Sequence, residues 1–480
     1  MNDKAYFLGI DLGTQGVRVV LLDNAGNVIT ADEKVMPLTD SSRQQQDVEN
    51  WWLLSAQCIR SVLKKTESSV RKNIIAVSVS STSGTVIPLN KNDQPVHPAI
   101  MYSDKRSADQ SARCASITAE NLTTGFTRFN SSCGLPKILW FMEQFPHRVG
   151  DIKCWVHAAD YITGKLSGVF NTTDYTNALK TGYDLIHLCW PGYITEVLGI
   201  KKEWLPQVVP SGTVIGKISG AAATETGLPE HTVVTVGITD GCASQIASGA
   251  TQPGQWNTTI GTTLVIKGVT QKPVTDREGR LYNHRHPEGY WMPGGAGNIG
   301  ADWVTKEFPE QFIALNEAAE HVIPTGAIAY PLLAEGERFP FIAPRARGFQ
   351  PPALSPELSF AAKMEGVAYV ERYAYELIRR LSGEEISEVY TAGGASCSDT
   401  WLKIRSAILN KPIYKMKHVS GAVGAAIVAA SQTHFSTLSA AAKTLVQKDK
   451  LITPQKYLSE QYESFYHSFI AELIARNYIG

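Results

Sequence analysis

Two aspartates, Asp11 and Asp240, each stand where an apolar run ends, a position in which a carboxylate suits chemistry better than packing. Burying an unpaired carboxylate costs several kcal/mol or forces it to take up a proton. Each aspartate therefore needs a partner. A carboxylate can serve as a ligand for Mg²⁺ or as a general base, so the pair is interpreted as candidate catalytic residues.

The turn after Asp11 separates two apolar runs, residues 6–10 and 17–22, and this pattern predicts a buried β-hairpin. Gly13, Thr14 and Gln15 offer backbone N–H groups, a hydroxyl and room for close approach. Those groups suit a phosphate chain, and Asp11 suits the cation that accompanies it. From these residues alone, a tight hairpin with a solvated aspartate at its rim is the alternative.

Residues 73–90 predict a strand, a polar turn and a second strand. The end of the first strand and the turn bring several hydroxyls to the carboxyl edge of a sheet, where open α/β sheets bind ligands: those of Ser80, Ser81, Thr82, Ser83 and Thr85. A hydroxyl-rich turn that binds no ligand is the alternative.

Residues 256–268 repeat the order of the first hairpin, with a strand, a Gly-Thr turn and a strand. When Gly261 and Thr262 are aligned with the first Gly-Thr turn, Thr259 falls opposite Asp11. This correspondence predicts an internal duplication in which only the first copy keeps its acid.

A glycine pair, Gly393 and Gly394, follows a strand predicted at the start of residues 390–410. Glycines there would let a ligand lie close to the backbone, and Ser396 or Ser398 would cap the helix behind them.

Helices are predicted around these turns from apolar spacing and capping residues. They comprise a helix that is capped by Asp47 and reaches Lys65, one that starts near Pro136, one that stops near Gly164, an amphipathic helix within residues 360–381, and a helix of small residues over 421–430. Residues 231–250 predict a strand, an Asp-Gly turn at Asp240 and Gly241, and a further helix.

The composition excludes several classes of partner. Lys plus Arg and Asp plus Glu both number 45, so neither a nucleic acid nor an anionic membrane is expected as a partner held by bulk charge. The seven cysteines lack the spacing of a zinc site and are interpreted as reduced thiols. With no charged-then-apolar leader and no long apolar run, the 480 residues are expected to form a soluble cytoplasmic protein of about two to four domains.

Taken in order, the motifs of the sequence resemble those of the FGGY family of carbohydrate kinases over nearly the whole chain. They are GIDLGTQGVRVVLLD, YSDKR, GLPKILW, DYITGKLSG, TDYTNALKTGYD, ITDG, TIGTTLVIKG, GGAGN, GERFPFIAPRARGF, EGVAYVERY, AGGASCSDTW and GAVGAAIVAA.

This resemblance implies an α/β protein with the actin-like ATPase (ribonuclease H-like) fold, in which two domains each have a mixed sheet flanked by helices. Residues 1–248 would bind the sugar and carry the catalytic base, and residues 249–480 would bind the nucleotide, with MgATP in the cleft between them.

By the same resemblance, Asp240 is the base, Asp11 organises the metal and the sugar, and both are candidate ligands of Mg²⁺. The implied sugar contacts are Thr82, Ser83, Asp11, Asp240 and Gly241. The implied ATP contacts are Gly13, Thr14, Gln15, Gly261, Thr262, Gly297, Gly393, Gly394 and Ala395.

The sequence departs from the family pattern at the substrate turn and near its C-terminus. Many members have Met-His or Arg-Glu where this chain has Thr82 and Ser83, and many have a glutamate before the last glycine-alanine helix, where His418 and Ser420 stand here. The string SSTSGT is most similar to the ribulose-kinase-like branch. We therefore expect a five-carbon ketose, ribulose first and xylulose second, with glycerol or another polyol as the alternative.

Two other classes share the fold: an actin- or chaperone-like nucleotide switch, and a regulator that has lost activity. A switch has no need of a hydroxyl-lined turn and a second acid, and a regulator has no need of both acids, so a sugar kinase is favoured. The pattern GxxxxGK[ST] of P-loop kinases is absent from the sequence. Asp104 and Arg106 are expected to form a structural ion pair near the sugar site, and a homodimer is considered possible.

Overall fold

The computed structural model of the chain describes residues 4–122 and 128–480. The strands in chain order are β1 (Tyr6–Gly13), β2 (Gly16–Asp23), β3 (Val28–Val35), β4 (Gln45–Gln46), β5 (Ile74–Ser81), β6 (Val86–Leu89), β7 (Ala99–Ile100), β8 (Cys154–His157), β9 (Thr172–Asp174), β10 (Gln207–Val209), β11 (Val214–Lys217), β12 (Val233–Thr235), β13 (Ile238–Thr239), β14 (Gln255–Ile260), β15 (Leu264–Gly268), β16 (Tyr282–Arg285), β17 (Trp291–Ala296), β18 (Glu388–Ala392), β19 (Ile413–Met416) and β20 (Lys448–Ile452).

The α-helices are α1 (Asp40–Gln44), α2 (Val48–Lys64), α3 (Ser68–Lys72), α4 (Ala108–Asn121), α5 (Gly134–Gln144), α6 (Ala158–Ser167), α7 (Tyr175–Ala178), α8 (Gly192–Glu196), α9 (Gly220–Thr226), α10 (Asp240–Ala247), α11 (Asp302–Glu307), α12 (Phe312–Ala319), α13 (Pro356–Ser382), α14 (Asp399–Leu409), α15 (Gly421–Ala430), α16 (Leu438–Leu445) and α17 (Lys456–Ala475). Short 3-10 helices lie at Pro146–Asp151, Leu179–Thr181, Lys202–Trp204 and Gly394–Cys397.

The chain folds into two compact units, each with a mixed sheet flanked by helices, as predicted. Unit 1 consists of the described parts of Met1–Ala247 together with His284–Gly289 and Val419–Leu445. Unit 2 consists of Ser248–Asn283, Tyr290–His418 and Val446–Gly480. Two later segments of unit 1 thus lie in the part of the sequence that follows the predicted linear boundary at residue 248.

The main sheet of unit 1 has the strand order β11-β12-β5-β1-β2-β3, and β13 also pairs with β5. β1 and β2 form the predicted antiparallel hairpin, whereas β1, β5 and β12 run parallel. The residues of β1 are almost all buried, as expected of a strand with a parallel neighbour and a helix packed on it.

The sheet of unit 2 contains the strands β17-β15-β14-β18-β19-β20 in that order. Its hairpin of β14 and β15 is antiparallel, and β18 and β19 run parallel to β14. The same order and directions occur in unit 1 for β3-β2-β1-β5-β12. This shared topology supports the predicted internal duplication.

All ten residues of α15 are buried, and the helix packs against β1, β5 and α10 of unit 1. Glycines make the close approach possible. A Cβ added to Gly9 of β1 would lie 1.8 Å from the carbonyl oxygen of Ala422, and one added to Gly424 would lie 2.0 Å from that of Ala243. The small residues of α15 therefore serve backbone-to-backbone packing on two sides.

Two local predictions are confirmed and two are wrong. The Asp47 carboxylate caps α2 by accepting the Glu49 N–H, and Pro136 lies in the first turn of α5. Gly164, in contrast, lies inside α6, where a Cβ would meet the Phe170 ring at 2.3 Å, and the helix ends instead at Gly168, whose φ is +83°.

The predicted Asp-Gly turn at residues 240 and 241 is the second wrong prediction, because both residues belong to the first turn of α10.

All seven cysteines are free thiols, in agreement with the reduced state predicted for them. Across residues 4–122 and 128–480, no helix is both long enough and apolar enough to cross a bilayer.

Candidate active site

Three parallel strands of unit 1, β1, β5 and β13, end at the same edge of the sheet. Asp11 of β1 and Ile238 of β13 both lie opposite Ser80 of β5, and Thr239 lies opposite Ser81. Asp240 follows Thr239 directly as the first residue of α10. The register therefore brings the two predicted catalytic acids to one edge.

A glycine allows the last of these strands to reach that edge. β12 ends at Thr235 and β13 begins at Ile238, so the strand is interrupted at residues 236 and 237. A Cβ on Gly237 would lie 2.1 Å from the carbonyl oxygen of Val79 in the neighbouring strand. Only glycine fits this close passage.

The Asp11 carboxylate is half-buried and accepts a hydrogen bond of 2.6 Å from the Ser80 hydroxyl. Burial is the largest influence and raises the pKa of Asp11 to about 6, although the Ser80 hydrogen bond lowers it. The charge of Asp240 raises the same pKa further, and the charge of Arg18 lowers it. The two acids thus sense each other electrostatically, which is the arrangement of a cation site or of an acid–base pair.

The N-terminus of α15 lies against Asp11. Ser420 caps this helix by accepting the Val423 N–H, and a Cβ on Gly421 would lie 2.4 Å from Asp11 Oδ1. Sequence reasoning identified the small-residue helix but did not place its first glycine at the aspartate. The sequence feature that could have indicated this contact is a glycine directly after a helix-capping serine, a position where the helix itself does not require glycine.

The predicted phosphate turn forms the tip of the first hairpin, with Gly13 paired to Gly16 across it. The turn is held from two sides, because the Gln46 side-chain amide donates to the Thr14 carbonyl and the Met36 N–H donates to the Gln15 carbonyl.

A cavity of about 630 Å³ opens beside this turn within unit 1. Of the predicted site residues, Asp11, Gly13, Thr14 and Gln15 line it, whereas Asp240, Gly241, Thr82 and Ser83 do not. The rest of its lining is Gly16, Val17, Arg18, Glu33, Lys34, Val35, Leu38, Arg43, Tyr102 and Ser103. Its volume is in the range of small-molecule sites.

The hydroxyl-rich turn is held by hydrogen bonds and by close packing at its glycine. The Thr82 and Thr85 hydroxyls lie 3.3 Å apart, and Thr85 Oγ1 also accepts the N–H of Tyr102, a residue of the cavity wall. Gly84 has a φ of +83°, and a Cβ there would meet the Ser132 carbonyl oxygen at 2.1 Å. Thr82 is buried and Ser83 is half-buried at the tip. Unlike these two, Ser80 and Ser81 belong to β5.

The predicted ion pair of Asp104 and Arg106 is confirmed, with Nη2 and Oδ2 2.7 Å apart. Asp104 is buried, and the Arg106 guanidinium stacks 4.3 Å above the Trp140 ring. Asp104 follows Tyr102 and Ser103 of the cavity wall, so the ion pair fixes the segment that lines the cavity.

In unit 2, the predicted nucleotide contacts lie on three loops at the ends of strands. Gly261 and Thr262 follow β14, and a Cβ on Gly261 would meet nothing within 4 Å. Gly394 is exposed and equally open, at the start of the 3-10 helix that contains the buried Ala395. Open space beside both glycines leaves room for a ligand against the backbone.

Gly393 and Gly297 differ from these two glycines, because a Cβ added to either would meet backbone atoms of a neighbouring segment. Gly393 has a φ of +87° and faces the neighbouring strand, where a Cβ would lie 2.5 Å from the Ile260 carbonyl oxygen. This backbone conformation and packing require glycine at this position whether or not a ligand binds there. Gly297 is similarly closed on one side, because a Cβ added there would lie 2.6 Å from the carbonyl oxygen of Phe339. Behind Gly393 and Gly394, Ser398 rather than Ser396 caps α14.

Glu337, which sequence reasoning did not single out, organises the Gly297 loop. Its buried carboxylate accepts the N–H groups of Asn298 and Ile299 and the hydroxyl of Tyr330. The available signal was an acid in the GERFPF string, whose two phenylalanines, Phe339 and Phe341, pack into the core of unit 2.

Models of one protein family match most of the chain in two consecutive parts. Residues 6–247 match a family model described as the FGGY family of carbohydrate kinases, N-terminal domain, and residues 256–433 match the C-terminal domain of that family. A xylulose kinase of Bacillus subtilis is 27% identical over 96% of this chain and 95% of its own length. A gluconokinase of the same organism is 26% identical over 97% of this chain and 95% of its own length.

A solved structure, that of a ligand-bound xylulose kinase from Lactobacillus acidophilus, matches with a TM-score of 0.83 and 22% identity over 98% of both chains. This likeness shows the fold, and the predicted actin-like ATPase fold is confirmed.

Proposed function

Because the chain belongs to the FGGY family of carbohydrate kinases, whose two domain models together match most of it, we propose that it transfers the γ-phosphoryl group of ATP to a hydroxyl of a five-carbon ketose. Enzymes of this family are phosphotransferases that use ATP with Mg²⁺. The proposal concerns the sugar and the roles of individual residues.

The observation that carries the proposed chemistry is the edge shared by Asp11, Ser80 and Asp240 in unit 1. Phosphoryl transfer requires positioning, neutralisation of charge, and a group that accepts the proton of the attacking hydroxyl. Asp240, at the start of α10, accepts that proton. Asp11 is held by Ser80 and by the close approach of Gly421, so its carboxylate is fixed before any ligand arrives.

The donor set fits Mg²⁺ that arrives with ATP. Mg²⁺ in such sites takes one or two protein carboxylates, and its remaining ligands are phosphate oxygens and water. In the parts of the chain that the structure describes, no group of three or more His, Cys, Asp and Glu side chains could hold a metal by itself. Asp11 and Asp240 would hold the cation, which would neutralise charge on the transferred phosphoryl group.

The proposed ATP contacts are distributed over both units. In unit 1, the rigid tip at Gly13, Thr14 and Gln15 presents backbone groups next to Asp11. In unit 2, we assign phosphate contacts to Gly261 and Thr262, a further contact to Gly297, and adenosine contacts to Gly393, Gly394 and Ala395. The open space at Gly261 and Gly394 supports this assignment.

The role of Asp240 is tested with Asp240→Asn. The amide cannot accept the proton, so kcat should fall at least about 100-fold while the melting temperature and the affinity for ATP stay near those of the wild type. The measurement is ADP release with a saturating pentulose, with calorimetry for ATP binding. Asp93→Asn, which removes an acid of the same unit that pairs with Lys153, is the matched control and should keep full activity. Wild-type turnover in Asp240→Asn would remove Asp240 from the base role.

The pentulose assignment is supported by the hydroxyl-rich turn and by the relatives named xylulose kinase. Hydroxyl groups both donate and accept hydrogen bonds, so a turn of Thr82 and Ser83 suits a ketose with neighbouring hydroxyls. We place ribulose first and xylulose second, with Ser83 against the sugar and Gly241 beside the base.

A substrate panel tests this assignment. Ribulose, xylulose, gluconate, glycerol and a hexose are compared by kcat/KM, and a pentulose should rank first. Ser83→Ala should raise KM for the best sugar about tenfold and leave KM for ATP unchanged, because a site built around a hydroxyl loses an uncompensated hydrogen bond. Highest efficiency with glycerol, gluconate or a hexose, or a silent Ser83→Ala, would contradict the assignment.

We further propose that the enzyme is cytoplasmic and that its partners are a sugar and MgATP, without nucleic acid or membrane. The possible homodimer remains a prediction.

A further inference from the structure

We propose that Thr176, fixed by the buried carboxylate of Asp174, is a positioning residue that sets the backbone from which Asp240 projects. This inference rests on the proposed role of Asp240 as the base and extends it to residues about 60 positions earlier in the chain.

The peptide group that links Ile238 and Thr239, one residue before Asp240, is held by a side chain. The backbone N–H of Thr239 donates to Thr176 Oγ1 over 2.9 Å. β13 contains only Ile238 and Thr239 and follows the interruption at Gly237, so few strand hydrogen bonds hold this segment. The contact with Thr176 therefore controls the orientation of the Ile238–Thr239 peptide, one residue before the base.

Thr176 is itself fixed by Asp174. The Thr176 hydroxyl donates to Asp174 Oδ1 over 2.5 Å, and the Thr176 N–H donates to the same oxygen over 2.7 Å. With its proton committed to the carboxylate, the Thr176 oxygen presents a lone pair to Thr239. Both residues are completely buried, so no water competes for these bonds.

Other groups hold the Asp174 carboxylate in place. The Asn177 side-chain amide donates to Oδ2 over 2.5 Å, and the Ser211 hydroxyl donates to Oδ1 over 3.2 Å. Burial raises the pKa of Asp174, and the hydrogen bonds from Thr176 and Asn177 lower it. Because donors hold both of its oxygens, the carboxylate cannot rotate. It therefore fixes the position of the Thr176 side chain, which in turn fixes the backbone at Thr239.

Neither Asp174 nor Thr176 reaches the proposed active site directly. Asp174 and Thr176 act through the backbone, and a misplacement of the base by about 1 Å can reduce the rate by about 100-fold. The expected signature is a loss in kcat without a loss in substrate affinity.

The test compares Thr176→Val with Thr176→Ser. Valine keeps the shape but removes the hydroxyl, whereas serine keeps the hydroxyl. Thr176→Val should lower kcat about 10- to 100-fold, with KM for the sugar and for ATP changed by less than about threefold. Thr176→Ser should restore kcat to within about threefold of the wild type. Thr176→Ala serves as a second deletion of the hydroxyl if the valine variant does not fold.

The matched control is Thr226→Val. Thr226 is also completely buried in unit 1, and its hydroxyl donates to the Ala222 carbonyl and accepts the Leu228 N–H. Its removal should lower the melting temperature to a similar degree and leave kcat unchanged.

Coupling to Asp240 completes the test. In the Asp240→Asn background, Thr176→Val should lower kcat by less than about twofold, because the group it positions is already lost. A full additional loss in that background, an equal loss in Thr176→Ser, or wild-type kcat in Thr176→Val would overturn the inference. Full activity of Asp240→Asn alone would instead overturn the proposed base, so the two failures are distinguishable.

Discussion

At the scale of single residues, Asp11 combines two demands that oppose each other. Its proposed role as a ligand for Mg²⁺ requires the ionised form, whereas burial favours the protonated form and raises its pKa to about 6. The hydrogen bond from Ser80 offsets part of this cost, and the charge of Asp240 adds to it. Without a cation, the site is therefore a local source of instability at neutral pH.

Replacing Asp11 should make that cost measurable. A folded-state pKa above the ordinary aspartate pKa of 3.8 means that Asp11 stabilises the fold most below pH 3.8, and that this stability is lost as the pH rises through about 6. Without Mg²⁺ at about pH 8, Asp11→Asn should therefore be more stable than the wild type by about 1–3 kcal/mol, although its activity at limiting Mg²⁺ should fall.

Urea unfolding of both proteins at a series of pH values checks this prediction. Near pH 4 the wild-type carboxyl is protonated in the folded state, and the difference should vanish, which serves as the internal control. An Asp11→Asn protein that is less stable than the wild type at pH 8, or activity that is normal at limiting Mg²⁺, would contradict the assigned role.

At the scale of elements, α15 ties the two acids together. The helix packs against β1, which carries Asp11, and against α10, which begins with Asp240. Both contacts are made at glycines whose neighbours are backbone atoms, and backbone cannot move aside as a flexible side chain can. The placement of both acids therefore depends on a helix that contains no charged residue.

Adding a single methyl group between α15 and α10 should destabilise the protein. In Gly424→Ala, the new Cβ would lie 2.0 Å from the Ala243 carbonyl oxygen, so α10 must shift. Overpacking of this kind costs about 1–3 kcal/mol or more, and we expect a lower melting temperature together with a loss of kcat, because α10 carries Asp240.

Gly150→Ala is the matched control, since a Cβ at that position would meet nothing within 4 Å. It should leave both the melting temperature and kcat unchanged. Thermal unfolding and steady-state kinetics on the two variants decide the matter, and equal behaviour of Gly424→Ala and Gly150→Ala would show that the close packing has no functional weight.

At the scale of the whole molecule, the chain uses one topology twice and gives the two copies different chemistry. Asp11 stands two residues before the first glycine turn, and Thr259 stands two residues before the second. The Thr259 hydroxyl accepts from the Asn257 amide and carries no charge. This asymmetry agrees with the proposal that unit 1 supplies the acids and that unit 2 contributes nucleotide contacts.

The sequence by itself determined the identity of the parts. Apolar runs interrupted by glycine turns predicted both hairpins, the capping residue Asp47 predicted the start of α2, and ordered motifs predicted the family and its fold. These properties depend on neighbours in the chain, and local patterns are sufficient to specify them.

Only the tertiary structure decided which distant residues meet. The alignment of Asp11, Ser80 and Ile238 follows from strand register, and the assignment of Val419–Leu445 to unit 1 follows from the packing of α15. Likewise, the Phe170 ring leaves no room for a side chain at Gly164, and the Ile260 carbonyl oxygen leaves none at Gly393. Both groups lie beside these glycines only in the folded protein. Where segments far apart in sequence pack closely, the sequence shows only that the residue is small. Because many different contacts can require the same glycine, the sequence does not indicate which contact is made.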